Sequence, residues 1–189
     1  MAAPTVAASP CFHVMCTGQI QAISYEGIDN LYCKYAVTFG PDWQLEHGVD
    51  SGLSQIGYRG PAGRDIVLNF PLDMTFKTTN PYGWPRLVLS VYGMDALGRD
   101  VIRGYGSVLV PVAAGKHVKR VPLFKPQSSS KLQSFIAWLS ASPPEFFDPK
   151  FIAQGEGREL TRVSSQGVAT VEFNIVLHGF QQHGYVFAA

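Results

Sequence analysis

The chain has 189 residues, a net charge of +1 and three cysteines, and 15% of its residues are charged. A chain of this length buries enough apolar surface to fold as one domain without a metal or disulfide staple. Typical domains contain about 25% charged residues, so the low value here argues against disorder. The near-zero net charge gives no overall attraction to nucleic acid.

The sequence predicts one domain over residues 11–180, preceded by a disordered lead-in over 1–10 and followed by a short tail over 181–189. The start, MAAPTVAASP, has no basic and apolar signal pattern. No apolar run reaches about 18 residues, so no transmembrane span is expected. The odd cysteine count, without an Asn-x-Ser/Thr sequon, favours a reducing compartment and buried thiols.

The first half of the chain contains four predicted strands, recognised by period-two alternation of apolar residues. They cover residues 12–24, residues 31–39, a weak stretch through Leu53 and Ile56, and residues 66–76. Between the second and third strands, a loop is expected to reach about Ser51. Pro71 removes one ladder donor from the fourth strand, which suggests a sheet edge or a bulge there.

The second half begins with two strands that organise the domain, joined by a turn at residues 93–98. Leu87, Leu89 and Val91 alternate with polar or outward positions, and the following strand is expected to point Ile102, Val108, Val110 and Val112 to one face. The short link at residues 113–115 predicts that a seventh strand, 116–124, forms a hairpin with the sixth. The final strand is predicted over residues 168–178.

One late helix is predicted from Lys131 to about Ala141. Ser130 and Gln133 form a capping box, and an apolar stripe recurs at helical spacing. A long connector over 143–166 carries several phenylalanines and is expected to pack on the body. Eight strands with one helix predict an antiparallel β-sandwich; a closed barrel is the weaker alternative, because Pro71 and Pro122 are typical of edges.

Sites for chemistry are scarce in this sequence. None of the five histidines lies at zinc-like spacing to a cysteine, and no Gly-x-Ser-x-Gly elbow occurs. Eight-stranded sandwiches of the C2 type bind calcium through loops at one end, which must supply several oxygens. One loop offers Asp42, Glu46 and Asp50, but the loop over 78–85 has no acid. Calcium binding, a cofactor and enzymatic activity are therefore not expected.

Two surface features remain as candidate interfaces. A basic cluster of Lys116, Lys119, Arg120 and Lys125 could meet an anionic lipid surface. Alternatively, these lysines protect a solvated edge strand, which is the favoured interpretation. Tyr82 and Trp84, in the corner Asn80-Pro81-Tyr82-Gly83-Trp84-Pro85, could anchor a partner or cap the end of the core.

The corner also carries a family resemblance. The stretch FKTTNPYGWP, followed by LSVYG, resembles the B9 domain family, and LYCKY, VIRGYG, SKLQ and AQGEGRELTR support the match over residues 12–180. The resemblance implies a C2-like sandwich without catalytic residues. It implies assembly with the sister proteins B9 domain-containing protein 2 and the Meckel syndrome type 1 protein.

The implied location is the cytoplasmic side of the cilium, at the transition zone next to the basal body. There the family supports ciliogenesis and the gate that controls ciliary membrane composition. Candidate interface residues are Tyr82, Trp84, Arg158 and Arg162. The alternative function is a stand-alone, calcium-independent domain that binds membrane lipid through the basic cluster.

Overall fold

The computed structural model describes residues 11–61, 63, 65–95, 97–126, 163–181, 184 and 185. The predicted helix at Lys131 to Ala141 and residues 143–162 of the predicted connector lie outside this part of the chain. Residues 163–166, expected in the connector, instead belong to the last strand.

The described part of the chain contains ten β-strands, and every paired neighbour runs antiparallel. They are β1 Phe12–Tyr25, β2 Asn30–Thr38, β3 Trp43–Gly48, β4 Ser51–Leu53, β5 Gly57–Tyr58, β6 Asp65–Thr78, β7 Arg86–Met94, β8 Asp100–Leu109, β9 Gly115–Pro126 and β10 Val163–His178.

The strand order is β3-β6-β1-β10-β9-β8-β7-β2-β4, with β5 paired to β2. The sheet curls at the β9–β8 junction, where the only register pair is Tyr105↔Phe124. Buried side chains from β1, β6 and β10 on one half and from β2 and β7 on the other form one hydrophobic core. The prediction of an antiparallel β-sandwich is confirmed.

Strand β6 shows how the local sequence sets the register. Its apolar alternation buries Ile66, Leu68, Leu72 and Met74 against the core, as predicted. A bulge lies at Asn69, whose φ is 45°. The pairing of β3 with β6 ends at Gly48↔Met74, so Pro71 lies beyond it and removes no donor from that ladder.

The predicted loop up to Ser51 is wrong, because residues 43–48 form the edge strand β3. Its sequence, WQLEHG, buries only Trp43 fully, so the apolar alternation is too weak to indicate a strand. The weak strand predicted through Leu53 and Ile56 is correct only at Leu53, which ends β4, whereas Ile56 lies in the link before β5. Ser54 separates β4 from β5, because its hydroxyl accepts from the Cys33 N–H at 2.9 Å and its own N–H donates to the Cys33 carbonyl at 2.8 Å.

The organising strand pair is confirmed as β7 and β8, but Ile102 does not share a face with Val108 and Val110. A bulge between the register pairs Val91↔Gly104 and Tyr92↔Ile102 inserts one residue into β8 and reverses its side-chain alternation. Ile102 therefore lies with Val88 and Tyr105 in a second buried cluster, on the face away from the main core.

The predicted hairpin between the sixth and seventh strands is largely absent. Strand β9 pairs with β10 along its length, from Pro126↔Val163 to Gly115↔Ile175. Because β9 and β8 lie in opposite halves of the sandwich, they meet in register at one position only. This geometry leaves the first part of β9 at a sheet edge.

Candidate functional site

The corner after β6 is held by a polar network around Thr78, which is only 1% exposed. The Thr78 hydroxyl oxygen lies 2.7 Å from the Asn80 carbonyl and 3.0 Å from the Asp42 carbonyl, and it accepts from the Asn80 N–H at 3.1 Å. The Asn80 side chain accepts from the Tyr82 N–H and donates to the Asp42 carboxylate, both at 3.1 Å. An Asx turn of this kind fixes the chain direction.

A second set of contacts ties the corner to the start of β3. The Trp43 indole N–H donates to the Tyr82 carbonyl at 2.8 Å, and the Gly40 N–H donates to the Gly83 carbonyl at 2.8 Å. Gly83 has φ of 74°, and a Cβ built there would lie 2.6 Å from the Gly40 Cα. Only glycine fits such a conformation and so close an approach.

Trp84 packs against the end of the core. Its ring meets Trp43 edge-on with centroids 5.1 Å apart, and it lies 5.8 Å from the Phe180 ring. Its indole N–H donates to the Val110 carbonyl at 2.9 Å. Aromatic packing combined with a satisfied N–H gives a rigid support.

Tyr82 points the other way, and 80% of it is exposed. Its backbone N–H and carbonyl are both engaged, by Asn80 and Trp43. The corner thus presents one aromatic ring on a fixed backbone. A binding partner would meet little ordering cost at this position, which is a property of efficient interface anchors.

The structure places the two halves of the candidate corner in different environments. Trp84 supports the core end, whereas Tyr82 faces solvent. Sequence reasoning missed Trp43 and Asp42 as supports, because they lie in the stretch predicted as loop. Arg158 and Arg162 lie outside the described residues.

The four residues of the basic cluster lie in different environments. Lys116 forms an ion pair with Glu172 at 2.8 Å, and Glu172 also accepts from Gln21 at 2.6 Å. Lys119 and Arg120 are exposed. Lys125 is half-buried, and burial, together with the nearby Arg103 charge, lowers its pKa. Lys125 is therefore a weaker contributor to any anion-binding surface than Lys119 and Arg120.

The acids considered for calcium have separate partners. Asp42 accepts from Asn80, Glu46 lies 3.5 Å from the His13 imidazole, and Asp50 accepts from the Ser51 hydroxyl at 3.3 Å. In the part of the chain that the structure describes, no group of three or more His, Cys, Asp or Glu side chains is placed to hold a metal ion.

The cysteines are free thiols, and two of them are buried in the core. Burial raises the pKa of Cys16 to about 12, helped by the Asp73 charge. Burial also raises the pKa of Cys33 to about 12. Both side chains therefore stay protonated at neutral pH, and neither has the thiolate character that reactivity requires. Over the residues described, no helix is long and apolar enough to cross a bilayer.

The matching family model and the similar proteins indicate the same family. The family model described as B9-C2, ciliary basal body-associated B9 protein, matches residues 14–176. The chain is 50% identical to mouse B9 domain-containing protein 1, over 95% of this chain and 89% of the relative. It is 50% identical to the human protein of that name, over 94% and 88%.

More distant matches extend the comparison. Bovine B9 domain-containing protein 2 is 30% identical over 88% of this chain and 94% of its own length. Among solved structures, the C2A domain of a plant extended synaptotagmin 1 aligns with a TM-score of 0.41 and 12% identity, covering 86% of this chain and 92% of that one.

Proposed function

Because this chain belongs to the B9 domain family, we propose that it is a non-enzymatic scaffold at the ciliary transition zone, next to the basal body. In this proposal it assembles with B9 domain-containing protein 2 and the Meckel syndrome type 1 protein. The assembly supports ciliogenesis and the gate that controls ciliary membrane composition. The 50% identity to B9 domain-containing protein 1, over nearly the full chain, carries the proposal.

The exposed Tyr82 ring is the proposed centre of the contact with a sister B9 domain. The ring is 80% exposed, and its backbone is tied to Asn80 and Trp43. Burying such a ring contributes more than burying a residue on a mobile loop, because its backbone freedom is already restricted. Arg158 and Arg162 remain candidate contacts of the same interface.

Co-expression with each sister protein, B9 domain-containing protein 2 and the Meckel syndrome type 1 protein, followed by size-exclusion chromatography, tests this function. A stable complex of the two chains is the expected result. The Tyr82→Ser variant should weaken the complex, whereas Tyr58→Ser should not. Tyr58 is a matched control because it is also an exposed tyrosine, at 69%, but lies on β5. A chain that elutes alone with each sister protein would overturn the proposal.

A further inference from the structure

Strand β9 has an open edge in the described part of the chain. On one side it pairs with β10 from Gly115 to Pro126. On the other side its only register pair is Phe124 with Tyr105 of β8. Residues 115–121 therefore form a sheet edge, where backbone N–H and C=O groups can accept another strand.

The cations of this edge lie on both faces of the sheet. Lys116 pairs with Asn174 and Arg120 with Thr170, on the face away from the core. Lys119 pairs with Val171, which is fully buried in the core, so Lys119 lies on the opposite face. Because side chains of paired residues share a face, the positive charges flank the edge on both sides.

This distribution discriminates between two possible ligands. A flat anionic membrane that touches one face of β9 would meet Arg120 and Lys116 but not Lys119. Lys116 already pairs with Glu172 at 2.8 Å, which further weakens that surface. An added β-strand, in contrast, projects successive side chains to both faces and can reach both Lys119 and Arg120.

The apolar content of the edge fits the same ligand. Val118 lies on the outer face between Lys116 and Arg120 and is 53% exposed. An apolar side chain of an added strand could cover it, while neighbouring acidic side chains meet the cations. Main-chain hydrogen bonds then supply affinity and the side chains supply selectivity.

We propose that the β9 edge at residues 115–121 binds an acidic, extended segment of a partner protein as an added β-strand. The proposal does not depend on the Tyr82 contact, since it uses a different surface. A sister domain that fails to bind would leave it intact.

The test is a titration of the full chain with a fluorescent peptide of about ten residues, built from glutamate, threonine and valine. We expect saturable binding that weakens as salt is added, because exposed charges are screened. A second peptide has the same sequence with alternate backbone nitrogens methylated. It retains every charge but cannot complete a strand ladder, so its affinity should fall at least about tenfold.

The variants separate the edge from general electrostatics. Lys119→Glu with Arg120→Glu should lower affinity for the unmethylated peptide about tenfold or more. Lys34→Glu makes the same type of charge change at an exposed residue of β2, which is paired on both sides by Ser90 and Leu53. That variant should bind the peptide like the unaltered chain. All these positions are exposed, so none of the variants should lose stability. An unchanged thermal unfolding curve then confirms that each variant is folded.

Three results would overturn the proposal. Equal binding of the methylated peptide would reduce the interaction to charge attraction. Binding to phosphatidylserine vesicles, with no peptide binding, would assign the cations to a membrane. A dimer of the chain that dissociates on reversal of Lys119 and Arg120 would assign the edge to a second copy.

Discussion

The Tyr82 corner and the β9 edge are both candidate interaction surfaces, but they are built in different ways. At the corner, residues distant in sequence fix the backbone, through Trp43 to Tyr82 at 2.8 Å and Trp84 to Val110 at 2.9 Å. At the β9 edge, the strand is fixed on one side only, and exposed cations dominate. The corner should thus recognise shape, with little dependence on salt, whereas the edge should respond strongly to salt.

The largest expected effect is the loss of the corner's support. Trp84→Ala removes the ring that packs on Trp43 and Phe180 and the hydrogen bond to Val110. The free energy of unfolding should fall by about 2–4 kcal/mol, because a half-buried aromatic is truncated. In thermal unfolding, the Tm should drop by about 5–12 °C. An unchanged Tm would show that the corner does not depend on the core end.

A smaller effect should come from the close approach of Gly83 to Gly40. Gly83→Ala adds a Cβ 2.6 Å from the Gly40 Cα at φ of 74°, so it meets both backbone strain and a clash. Gly98 is a matched control, since its φ is 73° and nothing lies within 4 Å of its added Cβ. Gly98→Ala should cost about 1 kcal/mol from backbone strain alone.

The clash should make Gly83→Ala more costly than Gly98→Ala by about 1–2 kcal/mol in urea unfolding. Equal costs for the two variants would mean that the corner relaxes freely. The backbone of the corner would then be no more rigid than that of the β9 edge.

The stability of the chain at alkaline pH tests whether the core that supports both surfaces keeps its thiols away from water. The unfolded thiols ionise near the ordinary value of 9.0, whereas Cys16 and Cys33 ionise at about 12 in the folded chain. Their favourable contribution is complete below pH 9 and is lost as pH rises toward 12. Burial raises the pKa of Tyr25 and Tyr35 as well, so these groups add to the loss in the same direction.

The free energy of unfolding, measured by urea titration at successive pH values, should therefore fall between pH 9 and pH 12. Cys33→Ala should make this decline shallower than in the unaltered chain. A flat profile over that range, or an equally steep one in Cys33→Ala, would contradict the assignment of a dry, thiol-containing core.

The smallest effect concerns thiol reactivity at neutral pH. Cys11 is half-buried, whereas Cys16 and Cys33 are buried with raised pKa values. A thiol reagent should therefore modify one cysteine rapidly in the folded chain and all three after denaturation. Rapid modification of all three thiols in the folded chain would show that the core opens readily.

Period-two alternation predicted the elements that bury one regular face. Strands β2 and β7 follow it, and β1 follows it up to the register shift between Ile20 and Ala22, after which Ile23 and Tyr25 face the core. Alternation fails where backbone geometry decides the outcome. The β8 bulge moves Ile102 to the other face, and the polar edge strand β3 has too little burial to be recognised.

The candidate sites also depend on contacts that the local sequence does not reveal. The residue types in the Asn-Pro-Tyr-Gly-Trp-Pro stretch indicated a corner, but not which aromatic would face solvent. That depends on Trp43, 41 positions before Trp84, and on Gly40. The basic cluster of β9 was visible in the sequence, whereas its distribution over two faces depends on the register with β10.

A calorimetric titration of the full chain with B9 domain-containing protein 2, at low and high salt, measures directly whether the Tyr82 ring anchors the complex. We expect Tyr82→Ser to weaken binding about thirtyfold at both salt concentrations, because an interface anchor contributes about 2 kcal/mol. Tyr58→Ser and Lys119→Glu should leave this affinity unchanged. Equal affinities for Tyr82→Ser and the unaltered chain would show that the rigid corner is not the scaffold's interface.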